Sequence, residues 1–427
     1  MNEKQHYVFN KVREGRNVFL TGEPGTGKSY TIHAIIEWAQ KNGAKIGITG
    51  MTGVAAVLIG GVTLHSFLGI SLGQGTIEQL IYKVSKNGKL LRKLKRLQIL
   101  IIDEISMMDA ELFIKIDALL RAVRRKDKPF GGIQLLCVGD FSQLAPCEGD
   151  YCFRATIWKD VEFEECILTE AVRHGDDIEF QEMLKRLRWG KCTDADYERL
   201  CELSETTFPE HIVPTRLYSL NVNVDKINND ELEKIMEKNK VPGTSSRLIS
   251  YAIRFPNELN VMDRIKYAKL YNINDISLCV GCQVVLTKNL DQDIGLVNGA
   301  RGVVTLVHPQ YVMVEFLNGK VERIDYYKVA LTNIWEETEH DKMEMDIYSM
   351  PLKLAWAITI HRTIGMTLDA VEIDLGKSIF AYGQAYTALS RARSLRSIRL
   401  TSVNKKSFKT HPHVIEFYYN LLHQSKS

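Results

Sequence analysis

The stretch Val18-Phe19-Leu20-Thr21-Gly22-Glu23-Pro24-Gly25-Thr26-Gly27-Lys28-Ser29 decides the fold, because it runs from an apolar strand through a glycine-rich turn into a helical pattern. Beyond it, Ile32, Ile35, Ile36 and Ala39 recur at the spacing of one helix face, and Gly43 stops the pattern. Gly22 to Ser29 fits G-x4-G-K-S between a strand and a helix. Glycines there let backbone N–H groups curl around phosphate oxygens, and the helix N-terminus adds partial positive charge. Lys28 is expected to reach the β- and γ-phosphates of a nucleotide and Ser29 to ligate Mg²⁺. Pro24, Gly25, Thr26, Gly27 and Tyr30 complete the expected nucleotide cradle.

Outward from this turn, strand and helix signals alternate. Lys45 to Thr49, Gln98 to Asp103 and Gln134 to Val138 read as further strands. A helix opens at Asp109 with Leu112, Ile116, Leu119 and Val123 on one face. Alternation of this kind predicts a parallel α/β sheet. Asp103 and Glu104 end an apolar strand, where Asp103 is expected to hold Mg²⁺ and Glu104 to polarise an attacking water. Gln143, in Gly139-Asp140-Phe141-Ser142-Gln143, ends another such strand and is a candidate sensor of the γ-phosphate. The sequence after Asp103 is not D-x-x-G, and N-K-x-D is absent, which argues against a GTPase. Residues 282 to 330 differ in style. Val312 to Phe316, the Asn318-Gly319 pair and the alternation after it predict a small antiparallel β module. Residues 226 to 275 give no clear pattern.

The chain has 427 residues, enough for two or three domains, with 45% hydrophobic and 25% charged residues. That composition excludes collagen, low complexity and wholesale disorder. The net charge of +3 says nothing for nucleic acid, so basic surface must be local. The uncharged stretch from Ile46 to Ile77 is broken by glycines and hydroxyls, so no membrane span is expected. Without an apolar leader, the expected state is soluble and intracellular, with the eight cysteines as free thiols. Cys279 and Cys282 form a lone CxxC, read as packed thiols with zinc as the alternative.

Taken together, several motifs resemble the Pif-type (petite integration frequency) DNA helicases of superfamily 1, related to RecD-like enzymes. They are Gly22 to Ser29, Thr49 to Ala56, Thr63-Leu64-His65-Ser66-Phe67, Asp103 to Met107, Pro129 to Gln134 and Gly139 to Leu144. In the C-terminal half, Leu296 to Gly302, Leu354 to His361 and Tyr386 to Ala392 follow in the family's order. The resemblance implies two RecA-like parallel-sheet domains with ATP between them, a small wedge inserted in the first and an SH3-like β-barrel in the second. The expected division is 1–170, with the wedge at about 68–96, and 171–427, with the inserted module at about 226–350.

By the same resemblance, Gln5 reads adenine, Arg173 and Arg391 reach the γ-phosphate, and Gly365 lies near the nucleotide. Thr52, Gly53, Val54, His65, Phe67, Asn298, His361, Arg362 and Thr363 contact DNA. Phe67 stacks on a base in this reading, or else fills a core. His361-Arg362-Thr363-Ile364-Gly365 departs from the family's His-Lys-Ser-Gln-Gly, and Val172, His174 and Ser142 are further departures. The implied activity is ATP- and Mg²⁺-dependent translocation on single-stranded DNA, 5′ to 3′, with unwinding of duplex or structured DNA. It belongs with replication, repair, recombination and telomere maintenance. The implied partners are single-stranded DNA, single-/double-strand junctions and G-quadruplexes, for a monomer that binds no membrane. The competing readings are a translocase or protein remover that barely unwinds, a P-loop NTPase without nucleic acid, and a DNA-binding protein with a dead ATPase. Seven positive charges lie in the fourteen residues from Lys83 to Arg96, either as a phosphate-contacting patch or as the solvated face of a helix.

Overall fold

In the computed structural model the described residues are 1–70, 73–170, 177–208, 213–219, 224–238, 247–257, 259–271, 273–291, 294, 296, 298–317, 319–329 and 346–424. They form two compact units. Among the described residues, the first takes 1–170 and 411–424, and the second takes 177–329 and 346–410.

The first unit is built on a six-stranded parallel sheet. Its strands are β1 (Val18–Gly22), β2 (Ile46–Gly50), β3 (Val62–Thr63), β4 (Ile99–Asp103), β5 (Gln134–Val138) and β6 (Glu164–Leu168). The order is β3-β2-β4-β5-β1-β6. β1, β2 and β4 are buried along their whole length, as a sheet covered on both faces requires. The expected helix runs Ala110–Arg124, with the Asp109 carboxylate accepting the Leu112 N–H at 2.7 Å as its cap.

The expected wedge is a pair of helices, Ile77–Ser85 and Gly88–Arg96, packed on Ala110–Arg124. Leu80, Val84, Leu94 and Leu97 face inward. The Arg124 guanidinium donates to the carbonyls of Leu94, Lys95 and Leu97 at 3.2, 2.8 and 2.7 Å, closing the end of the basic helix.

Expectation and structure part at the C-terminus. The helix Pro412–Gln424 belongs to the first unit, so the assignment of everything after 170 to the second domain fails there. The cause is burial: Val414, Tyr418 and Leu421, spaced along one helix face, are at most 5% exposed.

In the second unit the strands continue as β7 (Thr215–Tyr218), β8 (Ile249–Tyr251), β9 (Ile276–Leu278), β10 (Gln283–Leu286), β11 (Arg301–His308), β12 (Tyr311–Phe316) and β13 (Val321–Asp325). After them come β14 (Tyr327–Lys328), β15 (Tyr348–Ser349), β16 (Leu352–Leu354), β17 (Ala357–Thr359), β18 (Val371–Leu375) and β19 (Ile398–Val403). A parallel sheet has the order β17-β7-β18-β19, and a five-stranded antiparallel sheet the order β13-β12-β11-β10-β16. This is the α/β fold of two RecA-like domains with an antiparallel insertion in the second. Asn318 of the expected hairpin lies outside the described residues, while Gly319 holds φ of 77° between β12 and β13. Residues 226 to 275, unreadable from sequence, contain most of the helix Val224–Lys238, β8 and the helix Val261–Leu270.

The insertion runs past the expected end at about 350, because β16 pairs antiparallel with β10 and closes it. Only Ala355 and Trp356 separate β16 from β17. The buried Arg301 donates to the carbonyl of Ala355 at 2.5 Å, to that of Val213 and to Gln283. Thr215 Oγ1 and Gln283 O also bond Ala355, at 3.0 and 2.9 Å.

Candidate functional site

Strand register aligns the expected motifs of the first unit. Val138 on β5 lies opposite Leu20 on β1 and opposite Asp103 on β4. The chain leaving β5 towards Gln143 therefore emerges between the glycine turn and the acidic pair. On the other side of β4, Gly50 pairs with both Asp103 and Thr63. The Met51 N–H donates to the Asp103 carbonyl at 3.0 Å. One row thus carries the expected phosphate turn, sensor loop, acids and the loops at Thr52 and His65.

Within the turn, Gly25 and Gly27 take φ of 83° and 85°, backbone that L side chains rarely adopt. Gly27 caps the helix Lys28–Lys41 without a side-chain bond, which leaves the first amides of the helix open to an anion. Lys28 Nζ donates to the carbonyls of Gly22 and Glu23 at 2.8 and 3.0 Å. Thr26 is buried and turns its hydroxyl to Glu23 O, whereas Tyr30 is exposed. Gln5 lies against this turn: its Nε2 donates to Thr26 O at 3.4 Å, and its Oε1 accepts the Asn2 N–H at 2.9 Å. It is thus half of a capping box as well as a neighbour of the phosphate turn.

Asp103 is buried. Burial, then repulsion from Glu104, pushes its carboxyl up to about 8, against the pull of Lys28. A carboxylate held so far from water beside a second one has the chemistry of a cation ligand. Glu104 takes φ of 56° and ψ of 44°, a left-handed conformation unusual for this residue. Nothing in its sequence neighbourhood signals that.

Thr52 caps the helix Gly53–Leu58, and Thr52, Gly53, Val54 and His65 are half-buried. Burial lowers the His65 pKa. Phe67 does not present its ring for base stacking: it is 1% exposed. Its ring fills the space over Gly47, and Lys93 Nζ sits 3.6 Å from its centroid. The core alternative holds. The basic segment divides accordingly. Lys93 turns inward, while Lys83, Lys86, Lys89, Arg92, Lys95 and Arg96 are exposed.

In the second unit, Arg391 is 2% exposed, its Nε donating to Thr387 O at 3.1 Å and its Nη2 to Ser390 Oγ at 3.0 Å. Arg362 is exposed and paired with Asp225 at 2.9 Å. Thr363 is fully buried with its hydroxyl on Ile360 O at 2.6 Å, so that hydroxyl is not offered to DNA. Ile364, replacing the family's Gln, is buried core, and Gly365 supplies φ of 78°. Burial also lowers the pKa of His361. Asn298 is buried, and neither amide atom has a hydrogen-bond partner among the described residues. Arg173, with Val172 and His174, lies outside the described residues.

Sequence reasoning missed Lys288 and Lys353. Burial, then Lys353, pushes Lys288 down to about 8, and burial, then Arg362, lowers Lys353. Lys405 pairs with Asp194, and Lys409 donates to Phe380 O. Cys279 and Cys282 are buried free thiols with sulfurs 3.6 Å apart. Among the described residues no His/Cys/Asp/Glu cluster could hold a metal, and no helix is long and apolar enough to cross a membrane.

Comparison with known proteins decides the family. The model for PIF1-like helicase matches residues 1–198, and that for the 2B domain of DNA helicase Pif1 matches 263–307. The crystal structure of Pif1 helicase from Candida albicans is 34% identical, covers 99% of both chains and superposes with a TM-score of 0.74. The chain belongs to the Pif1-like helicase family. Within that family, Xenopus laevis ATP-dependent DNA helicase PIF1 is 38% identical over 99% of this chain and 64% of its own length. The chain thus spans just under two thirds of the curated Pif1 relatives it matches. Bacteroides Pif1 in complex with ADP-AlF3 and single-stranded DNA is 28% identical, with a TM-score of 0.65 over 99% of this chain and 97% of that one. The 2B match runs from the helix Val261–Leu270 through β9 and β10 into β11.

Proposed function

We propose that this chain is an ATP-driven motor that moves 5′ to 3′ along single-stranded DNA and separates duplex ahead of it. The observation that carries the reading is the registered row of the first sheet. It joins the phosphate turn, the Gln143 loop, Asp103 and the loops at Thr52 and His65 through strand neighbours and the Met51–Asp103 bond. A shift of the acidic strand on nucleotide turnover is thereby transmitted to the loops that grip the strand. The Bacteroides relative, named for its complex with ADP-AlF3 and single-stranded DNA, supports both ligands.

In this reading Lys28 and the helix amides hold the phosphates, and Gln5 reads adenine. Gln143 senses the γ-phosphate, and Glu104 takes a proton from the attacking water. Ser29 and Asp103 would hold Mg²⁺, which the elevated proton affinity of Asp103 fits, and a bound ion would supply neutralisation of phosphate charge. Arg173 and Arg391 spread charge off the γ-phosphate in this reading. Thr52, Gly53, Val54, His65, Asn298, His361 and Arg362 line the strand, and the poorly solvated cations Lys288 and Lys353 add phosphate contacts. Junctions and G-quadruplexes fall within the same substrate class, for a monomer.

The test is unwinding of matched 5′-tailed and 3′-tailed duplexes with ATP and Mg²⁺, beside Glu104→Gln. The parent should separate the 5′-tailed substrate alone, and Glu104→Gln should bind nucleotide without turnover. Hydrolysis indifferent to single-stranded DNA, with neither duplex opened, would overturn the motor. DNA-stimulated hydrolysis without strand separation would reduce it to a translocase.

A further inference from the structure

The hydroxyl of Tyr418, on the C-terminal helix Pro412–Gln424, is completely buried in the first unit. It donates to Asp140 Oδ1 at 3.0 Å, accepts the Phe141 N–H at 3.0 Å and lies 2.8 Å from Thr21 Oγ1. A phenol has one proton and two acceptor sites. With the proton on the Asp140 carboxylate, Thr21 must donate, and every valence of the hydroxyl is filled. The node is therefore fixed in direction as well as in place.

Its three partners are not general core. Thr21 immediately precedes Gly22, the first residue of the phosphate turn. Asp140 opens the tight turn that Gln143 closes, with the Gln143 N–H on Asp140 O at 2.9 Å and the Ser142 N–H on Asp140 Oδ1 at 3.1 Å. One oxygen thus ties the end of β1 to the loop after β5. Phe417 adds apolar support, its ring 5.3 Å from that of Phe141 and 5.8 Å from that of Phe19. Such a clamp fixes the distance between the phosphate turn and the backbone of the loop that carries Gln143, on which the geometry of attack depends.

We propose that Tyr418 is a positioning residue for nucleotide hydrolysis, holding the Gln143 loop in register with the phosphate turn. The proposal rests on the reading of Gln143 as the γ-phosphate sensor. Tyr418 touches no substrate and acts through Asp140, Phe141 and Thr21.

Tyr418→Phe keeps the aromatic body and deletes only the node. Its kcat for single-strand-stimulated ATP hydrolysis should fall about 10- to 100-fold, with KM for ATP kept within about twofold, the size of loss that a displaced catalytic group brings. Placing p-aminophenylalanine at position 418 returns a donor to Asp140 and should recover much of the lost kcat. Should Tyr418→Phe misfold, Asp140→Asn gives a second route. It keeps an acceptor oxygen, weakens the charge-assisted bond, and should lower kcat by a smaller factor at unchanged KM. Gln143→Ala is measured in parallel. A parent-like kcat in Tyr418→Phe or, failing its folding, in Asp140→Asn, beside a collapsed kcat in Gln143→Ala, overturns the role of Tyr418 alone. It would leave the residue a mere anchor for its helix. A parent-like kcat in Gln143→Ala overturns the sensor reading, and the proposal with it.

Discussion

Replacing Phe67 by alanine separates a core role from a base-stacking role. The residue is 1% exposed, and a Cβ built on Gly47 would come within 2.5 Å of its ring, so the ring fills the space over β2. The backbone of Gly47 in β2 forms one side of the cavity and cannot relax into the void. Truncating a buried phenylalanine costs about 3–5 kcal/mol. Losing the ring beneath Lys93 adds about 0.5–2 kcal/mol. For a unit of this size each kcal/mol moves the midpoint by about 2–4 °C, so the core term alone predicts a drop of roughly 6–20 °C. A ring that only stacked on bases would cost about 1–3 kcal/mol in DNA affinity and leave the melt alone. Thermal and urea unfolding followed by circular dichroism measure the first quantity. Fluorescence anisotropy of a labelled oligonucleotide, taken well below the variant's midpoint, measures the second. A midpoint within about 2 °C of the parent, with affinity for single strands down tenfold or more, would refute the core assignment.

Three further expectations concern residues around the nucleotide and the basic helix. Burial holds the Lys93 ammonium at about 7 against an ordinary 10.5, so the unfolded chain binds the extra proton between those values. The lysine therefore adds stability as pH climbs through that window and adds none below it. Urea unfolding of Lys93→Met should lose this part of the rise, and identical pH slopes would contradict it. Gly27→Ala puts a side chain at φ of 85° and within 2.4 Å of Gln5 Nε2. The left-handed backbone alone costs about 1–2 kcal/mol, and affinity in a fluorescent-nucleotide titration should drop about tenfold (about 1.4 kcal/mol), so unchanged affinity would dismiss the tight cradle. Arg391→Ala should cut phosphate release by about 10³-fold or more while nucleotide affinity stays close to the parent's, and Arg391→Lys should restore little for want of the planar fork. A parent-like rate would remove Arg391 from the chemistry.

Much of the first sheet was legible because its information is local. The glycine turn, the acids at the end of β4 and the helix start at Asp109 each declare themselves within a few residues. What stayed hidden depends on distant partners. Tyr418 meets Thr21 across 397 positions and Asp140 across 278, so its helix read as a tail of the second domain. Phe67 was ambiguous because Gly47 and Lys93, which bury it, come from other elements. Thr363 looked available until its hydroxyl was found on Ile360. The left-handed Glu104 has no glycine to announce it, and Lys288 and Lys353 became noticeable only once burial had stripped them of water.

The two-residue splice between β16 and β17 bears on how the second unit carries load. With Arg301 riveting Ala355 to Val213 and Gln283, the junction has no slack in which to swivel. The antiparallel sheet is then an outrigger bolted to its host sheet. Any rotation of that sheet sweeps the outrigger through a wider arc, and a tug on the outrigger is felt at the splice without delay.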